Sequence, residues 1–162
     1  MTGPSTHDHL ACVAELEAAA DALALERGIN LTPLRRQVLS LICKSHKPVG
    51  AYQILAEMSQ NRAEPVAPPT VYRALDFLVS NMLVHRIDSL NAFVACFRPH
   101  QAHHSVFLIC DSCQDTRELD DADVHSSLAR AASRAEGFQT LRQVVELHGR
   151  CQACAAGASV RP

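Results

Sequence analysis

Residues 68–96 read PPTVYRALDFLVSNMLVHRIDSLNAFVAC, and a change of period inside this stretch decides the fold. From Thr70 to Asn81, and on to Met82, the apolar residues Val71, Leu75, Leu78, Val79 and Met82 recur at the spacing of one helical face. Tyr72, Arg73 and Asp76 fall on the other face. The period then shortens: Leu83–Ile87 and Ala92–Cys96 read as two short strands joined by a turn over Asp88–Asn91.

Upstream, the pattern is helical throughout. Leu10, Val13, Leu16, Ala20, Leu23 and Ala24 mark a helix over residues 10–27 that Gly28 stops. Thr32 and Pro33 are a capping residue and a first-turn proline, and Leu34, Val38, Leu41 and Ile42 line a second helix that ends near Lys47-Pro48. Ile54, Leu55 and Met58 define a third helix from Ala51 to Asn61, followed by a proline-punctuated loop, Glu64–Pro69. Compact helices followed by a β-hairpin are the order of a winged helix-turn-helix.

Downstream, residues 97–103 (FRPHQAH) have the polar, proline-containing character of a hinge. Beyond it come an apolar strand (104–109), a Cys-x-x-Cys turn, a polar strand through residues 117–119, an Ala-rich helix (122–136) ended by Gly137, a strand (140–147) and a second Cys-x-x-Cys. The fold class is α+β: a winged-helix domain over residues 1–96, a hinge over 97–103 and a small α/β domain over 104–162. The final AAGASVRP has the character of a frayed tail.

Composition fits this plan. The 162 residues are 48% hydrophobic with no Trp, so the core is built from Leu, Val, Ile and Ala. There is no long apolar run and no basic-plus-apolar leader in the N-terminal residues, so a soluble, cytoplasmic protein without a membrane partner is expected. The net charge of −2 conceals an asymmetry: residues 1–26 hold five acids and no Lys or Arg, whereas residues 27–86 hold eight Lys/Arg and three acids. That middle segment is net +5 and suits a polyanion, although a solvated basic face has the same composition.

Seven cysteines are an odd number, and in a reducing compartment two Cys-x-x-Cys turns are read as metal ligands before disulfides. Cys110-Asp-Ser-Cys113 and Cys151-Gln-Ala-Cys154 each follow a predicted strand, and four thiolates are a closed structural zinc set. A thioredoxin-like pair would open a helix, but Cys110-x-x-Cys113 runs into the strand-like Asp115–Leu119; two accidental pairs of core cysteines are the other alternative. Cys12 and Cys43 lie on apolar helical faces as packed thiols. Cys96 differs, because it ends the hairpin close in sequence to His85, His100, His103 and His104, and sulfur beside imidazole suits zinc.

LTPLRRQVL, AYQIL, PPTVYRALDFL, VHRIDSLNAFVAC, the His103-to-Cys113 stretch and HGRCQAC together resemble the Fur family of metal-dependent transcriptional regulators, in particular its zinc-sensing branch. The resemblance spans roughly residues 10–155 and is weakest in the first helix and in residues 120–140. It implies a zinc-responsive repressor and not an enzyme: a homodimer on palindromic, AT-rich double-stranded DNA, with a winged helix for DNA, a dimerisation domain and two zinc ions per subunit. Residue by residue, it implies a regulatory zinc held by His85, Cys96, His103 and Glu118, where a bound metal would restrict one domain against the other.

Iron-sensing members carry His-His-Asp-His before the first Cys-x-x-Cys, and here residues 104–107 read His-Ser-Val-Phe, which favours zinc. A regulator of the same family sensing iron, manganese or peroxide is the nearest alternative. His104 and His125 read as surface histidines rather than a third metal site, since Val106 and Gln143 stand where some relatives have ligands. His148 reads as structural or as a neighbour of the thiolate set.

For DNA, Arg73 on the exposed helix face is the first base-reading candidate, beside Tyr72, because a guanidinium can donate twice to guanine O6 and N7. The resemblance adds Tyr52, whose alternative is a helix-start residue packed on the core. Arg35, Arg36, Lys44 and Arg62 suit phosphates, which set register without reading sequence. Two other classes remain: a zinc hydrolase with Glu118 as general base, disfavoured by the absence of a His-Glu-x-x-His motif, and a scaffold with structural zinc alone.

Overall fold

The computed structural model describes residues 9–44, 47–60, 64–96, 98–99 and 105–157, with side chains from Val13 onward. The chain divides into two compact units, Met1–His100 and Gln101–Pro162.

In the first unit, α1 (His9–Arg27), α2 (Pro33–Cys43), α3 (Ala51–Ser59) and α4 (Pro68–Ser80) precede a hairpin of β2 (Val84–Ile87) and β3 (Ala92–Ala95). Gly28, at φ +64°, ends α1 with the Ile29 N–H donating to the Ala24 carbonyl at 3.0 Å. The Thr32 hydroxyl caps α2 by accepting from the Arg35 N–H at 3.4 Å, and Pro33 supplies the first turn. Two prolines open α4, where their missing N–H groups lie among those a helix start leaves unbonded anyway. Met82 closes α4 in the left-handed region at φ 59°: its N–H reaches the Val79 carbonyl and the Leu83 N–H the Leu78 carbonyl, both at 3.0 Å. Buried Leu83 and Leu78 accompany this cap, as the motif favours.

One feature escapes sequence periodicity. Val49 and Gly50 form a two-residue strand, β1, pairing antiparallel with Phe93 and Ala92, so the hairpin becomes a sheet in the order β1-β3-β2. Central β3 is buried along its whole length. The core packs Leu16, Ala20 and Leu23 of α1 with Val38, Leu39 and Ile42 of α2, Ile54 and Met58 of α3, and Val71, Leu75 and Leu78 of α4. Each large side chain among them contributes about 1.5–3 kcal/mol through burial. Leu41 is only partly buried while Leu39 takes the inward place.

The second unit is one sheet, ordered β5-β4-β6, carrying α5 (Ala122–Ala132). Central β4 (Ser105–Cys110) pairs antiparallel with β5 (Thr116–Asp120) and parallel with β6 (Val145–Gly149). Asp121 caps α5, its carboxylate accepting from the Asp123 and Val124 N–H groups at 3.0 Å.

Two expectations are corrected. Strand β6 starts at Val145 rather than Thr140, because β4 starts at Ser105 and the register Val106↔Val145 leaves the preceding residues with little to pair against. Helix α5 stops at Ala132 rather than 136, the chain turning through residues 133–137 to Gly137 at φ +73°. A short helix, α6 (Gln152–Ala155), also follows β6 where only a turn was expected. Among the described residues, no helix is long and apolar enough to cross a membrane.

Candidate metal centres and nucleic-acid face

The ladder between β4 and β6 runs Ile109↔His148 and Cys110↔Gly149, so Cys151 emerges two residues past the partner of Cys110. The Asp111 N–H locks this end by donating to the Gly149 carbonyl at 2.9 Å. After Cys110 the chain reverses: the Gln114 N–H donates to the Cys110 carbonyl at 2.8 Å, and Gln114 sits at φ 61°. Cys151 begins α6, whose first turn brings Cys154 back, the Ala155 N–H donating to the Cys151 carbonyl at 2.9 Å.

These local folds bring the sulfurs of Cys110, Cys113, Cys151 and Cys154 within 4.8 Å of one another. Thiolates at about 2.3 Å from a tetrahedral zinc stand about 3.8 Å apart. The Cys113 and Cys151 sulfurs lie at 3.8 Å. The Cys110 thiol is lowered to about 6, first by the Cys151 N–H and then by that of Cys113. For Cys113 the Asp115 N–H favours the thiolate, but burial and the Cys110 side chain outweigh it and push the thiol up. The Cys154 thiol is pushed up to about 12, first by the Cys151 side chain and then by burial. Crowding thus resists full ionisation of the four sulfurs, and a divalent cation is what relieves it. Donor type and spacing both fit zinc. His148 neighbours this set: its Nδ1 lies 2.8 Å from an oxygen of Asp111, inside the first Cys-x-x-Cys.

The first unit holds a second set. The Cys96 N–H donates to the Leu83 carbonyl at 3.0 Å while His85 pairs with Val94, so His85 and Cys96 are diagonal neighbours on one face of the hairpin. Their ligand atoms lie within 4.8 Å, and Cys96 is fully buried. Imidazole with thiolate is a donor pair suited to zinc. In the second unit, half-buried Glu118 on β5 accepts a hydrogen bond from the Ser105 hydroxyl at 2.6 Å. His103 lies outside the described residues, as do His100, His104 and Arg62 and the side chains of Leu10 and Cys12. Cys43 is a buried thiol on α2.

His125 corrects an expectation, since it is buried rather than on the surface. Its Nδ1 lies 2.7 Å from Gln143 Oε1 and its Nε2 lies 3.2 Å from the Ser105 carbonyl oxygen. Burial requires such partners for a polar ring, and an imidazole with both nitrogens engaged has no lone pair free for a metal. The signal available beforehand was Gln143 in place of a metal-binding residue.

On the candidate nucleic-acid face, Tyr52 in the first turn of α3 is 76% exposed, so it is not packed on the core. Tyr72 and Arg73 stand exposed on α4, and among the described residues Arg73 has no side-chain partner. The other cations are already engaged: the Arg35 guanidinium sits 3.4 Å from the Phe77 ring centroid and donates to the Asn30 carbonyl. Arg36 pairs with Asp21 and donates to the Leu31 carbonyl at 3.2 Å, and Lys44 pairs with Glu57 at 3.3 Å.

The profile of the ferric uptake regulator family matches residues 26–148. The zinc uptake regulation protein of Escherichia coli (strain K12) is 39% identical over 142 residues, covering 86% of this chain and 81% of that relative. Among solved structures, holo XcZur is 48% identical with a TM-score of 0.78, over 86% of this chain and 96% of that one. A zinc uptake regulator complexed with zinc and DNA is 35% identical with a TM-score of 0.82, over 90% of this chain and 96% of that one.

Proposed function

Since the chain belongs to the ferric uptake regulator family, we propose that it is a zinc-responsive transcriptional repressor that binds palindromic operator DNA as a homodimer and represses zinc-uptake genes. The observation that carries this reading is the His85–Cys96 pair, a sulfur-and-imidazole donor set on the wing and separate from the four-cysteine cluster. Cys110, Cys113, Cys151 and Cys154 hold a structural zinc; His85, Cys96, His103 and Glu118 hold the regulatory one, giving two zinc ions per subunit. Relatives described as a zinc uptake regulation protein and as a regulator complexed with zinc and DNA support it.

Residues 1–96 bind DNA, residues 97–103 are the hinge and residues 104–162 dimerise in this reading. Leu119, Leu128 and Leu147, each at least 42% exposed in the second unit, are apolar surface suited to a second copy. Arg73 and Tyr72 read bases and Tyr52 touches a base or the adjoining backbone, while Arg35 and Arg36 meet phosphates by exchanging or sharing their present partners. Ligands drawn from both domains and the hinge make zinc binding favour one domain orientation. A coupling of about 1–3 kcal/mol per site changes DNA affinity by about 5–150-fold, and a dimer has two sites. Setting is cytoplasmic, where DNA and free thiols coexist.

The test is operator binding by the full chain against buffered free zinc, iron(II) and manganese(II) at fixed salt, since salt alone moves such affinities by orders of magnitude. Zinc should activate at the lowest free concentration. Activation by iron or manganese ahead of zinc, or binding indifferent to metal, overturns the reading.

A further inference from the structure

Ser105, His125 and Gln143 form a connected polar group that the thiolate cluster and the DNA face leave unused. The Ser105 hydroxyl donates to Glu118 Oε1 at 2.6 Å, and the Ser105 carbonyl faces His125 Nε2 at 3.2 Å. The sheet register explains the first contact: Ser105 opposes Asp120 and Phe107 opposes Glu118, so Ser105 and Glu118 are diagonal neighbours on one face of an antiparallel pair. The second contact fixes the ring. A carbonyl only accepts, so Nε2 donates to it, while Nδ1 lies 2.7 Å from the Gln143 side-chain amide. Gln143 lies just before β6, so the imidazole ties α5 to the start of β4 and to the approach of β6.

We propose that Ser105 is a positioning residue for the regulatory metal, orienting the Glu118 carboxylate through the hydrogen bond to Oε1, and that His125 with Gln143 fixes Ser105 in that position. This inference rests on the assignment of Glu118 as a regulatory ligand. The carboxylate has two oxygens, and a hydrogen bond to one of them restricts its rotation about the Cγ–Cδ bond before the metal arrives. The group is built where a buried imidazole would otherwise be costly, and every ring nitrogen in it has a partner.

Zinc affinity of the full chain is measured by competition with a chelator, with structural zinc counted separately and the thermal midpoint recorded. Ser105→Ala should weaken the regulatory site about 10–100-fold, the range for loss of a residue that orients a metal ligand, while retaining one tightly held zinc per chain and an unchanged midpoint. Ser105→Thr, which keeps the hydroxyl in a strand position, should restore affinity, and His125→Gln should fall between. In a Glu118→Gln background the Ser105→Ala effect should vanish. If Glu118→Gln leaves affinity at the parent value, the ligand assignment falls and the positioning role falls with it. If Glu118→Gln weakens zinc but Ser105→Ala does not, or Ser105→Ala weakens it equally in the Glu118→Gln background, the positioning role alone is overturned.

Discussion

The backbone N–H of Cys151 points at the sulfur of Cys110 at 3.3 Å, joining the start of the last Cys-x-x-Cys to the end of the central strand of its sheet. That N–H is the main reason the Cys110 thiol is lowered to about 6. Cys110 therefore ionises more readily than Cys113 and Cys154, whose thiols are pushed up and must give up protons to a metal.

A pH dependence follows from this asymmetry. Cys113 and Cys154 are pushed up, the latter to about 12, so zinc capture at pH 7 displaces a proton from each. Below about 6 Cys110 is protonated as well and adds one more. Apparent zinc affinity should fall as pH falls, more steeply below pH 6, when measured by chelator competition with proton release in parallel. In the metal-free chain the lowered Cys110 value contributes stability that is present above 9.0 and lost as pH falls through about 6. A zinc affinity that is flat from pH 8 to 5 would remove the thiols from the site.

Cys113→Ser should strip a zinc from the chain and destabilise the second unit. A loss of at least about 3 kcal/mol corresponds to a drop of about 12–24 °C in midpoint for a unit of this size. Zinc content and thermal unfolding check this, and a variant with the parent's zinc content and midpoint would contradict the structural role.

Cys96→Ser should leave the fold intact, since the exchange is nearly isosteric at a fully buried position. Zinc-dependent operator binding should disappear, a loss of about 5–150-fold per site in the zinc-saturated state. Anisotropy titrations at buffered zinc read it; an unchanged zinc dependence would take Cys96 out of the sensor.

Arg73→Ala should weaken operator binding by about 1–3 kcal/mol and relax base preference, because the side chain is exposed and free of other partners among the described residues. Arg36→Ala should matter less, its charge being paired with Asp21 already. Equal losses on operator and random DNA would move Arg73 from base reading to phosphate binding.

Much of this was legible in the chain itself. Apolar spacing located α2, α3 and α4, Gly28 and Thr32-Pro33 marked helix ends, and the two Cys-x-x-Cys turns announced a four-sulfur set. These are local signals, carried by residues within a turn or two of one another, so no knowledge of long-range pairing was needed. The short strand at Val49–Gly50, the late start at Val145 and the early stop at Ala132 were not legible. Each depends on whether a distant segment offers a partner, and two or five residues of pattern do not encode that.

The same division holds at the sites. Residue type and spacing alone determined that Cys110, Cys113, Cys151 and Cys154 are metal-ligand candidates, and that Tyr72 and Arg73 face away from the helix's apolar side. Only the tertiary structure decided that the four sulfurs converge within 4.8 Å, because the parallel register Cys110↔Gly149 joins segments about forty residues apart. Only it decided that His125 is buried on Ser105 and Gln143 rather than exposed. A histidine's sequence neighbours say little about its burial, since the groups that satisfy its two nitrogens come from segments distant in the chain, here Ser105 and Gln143.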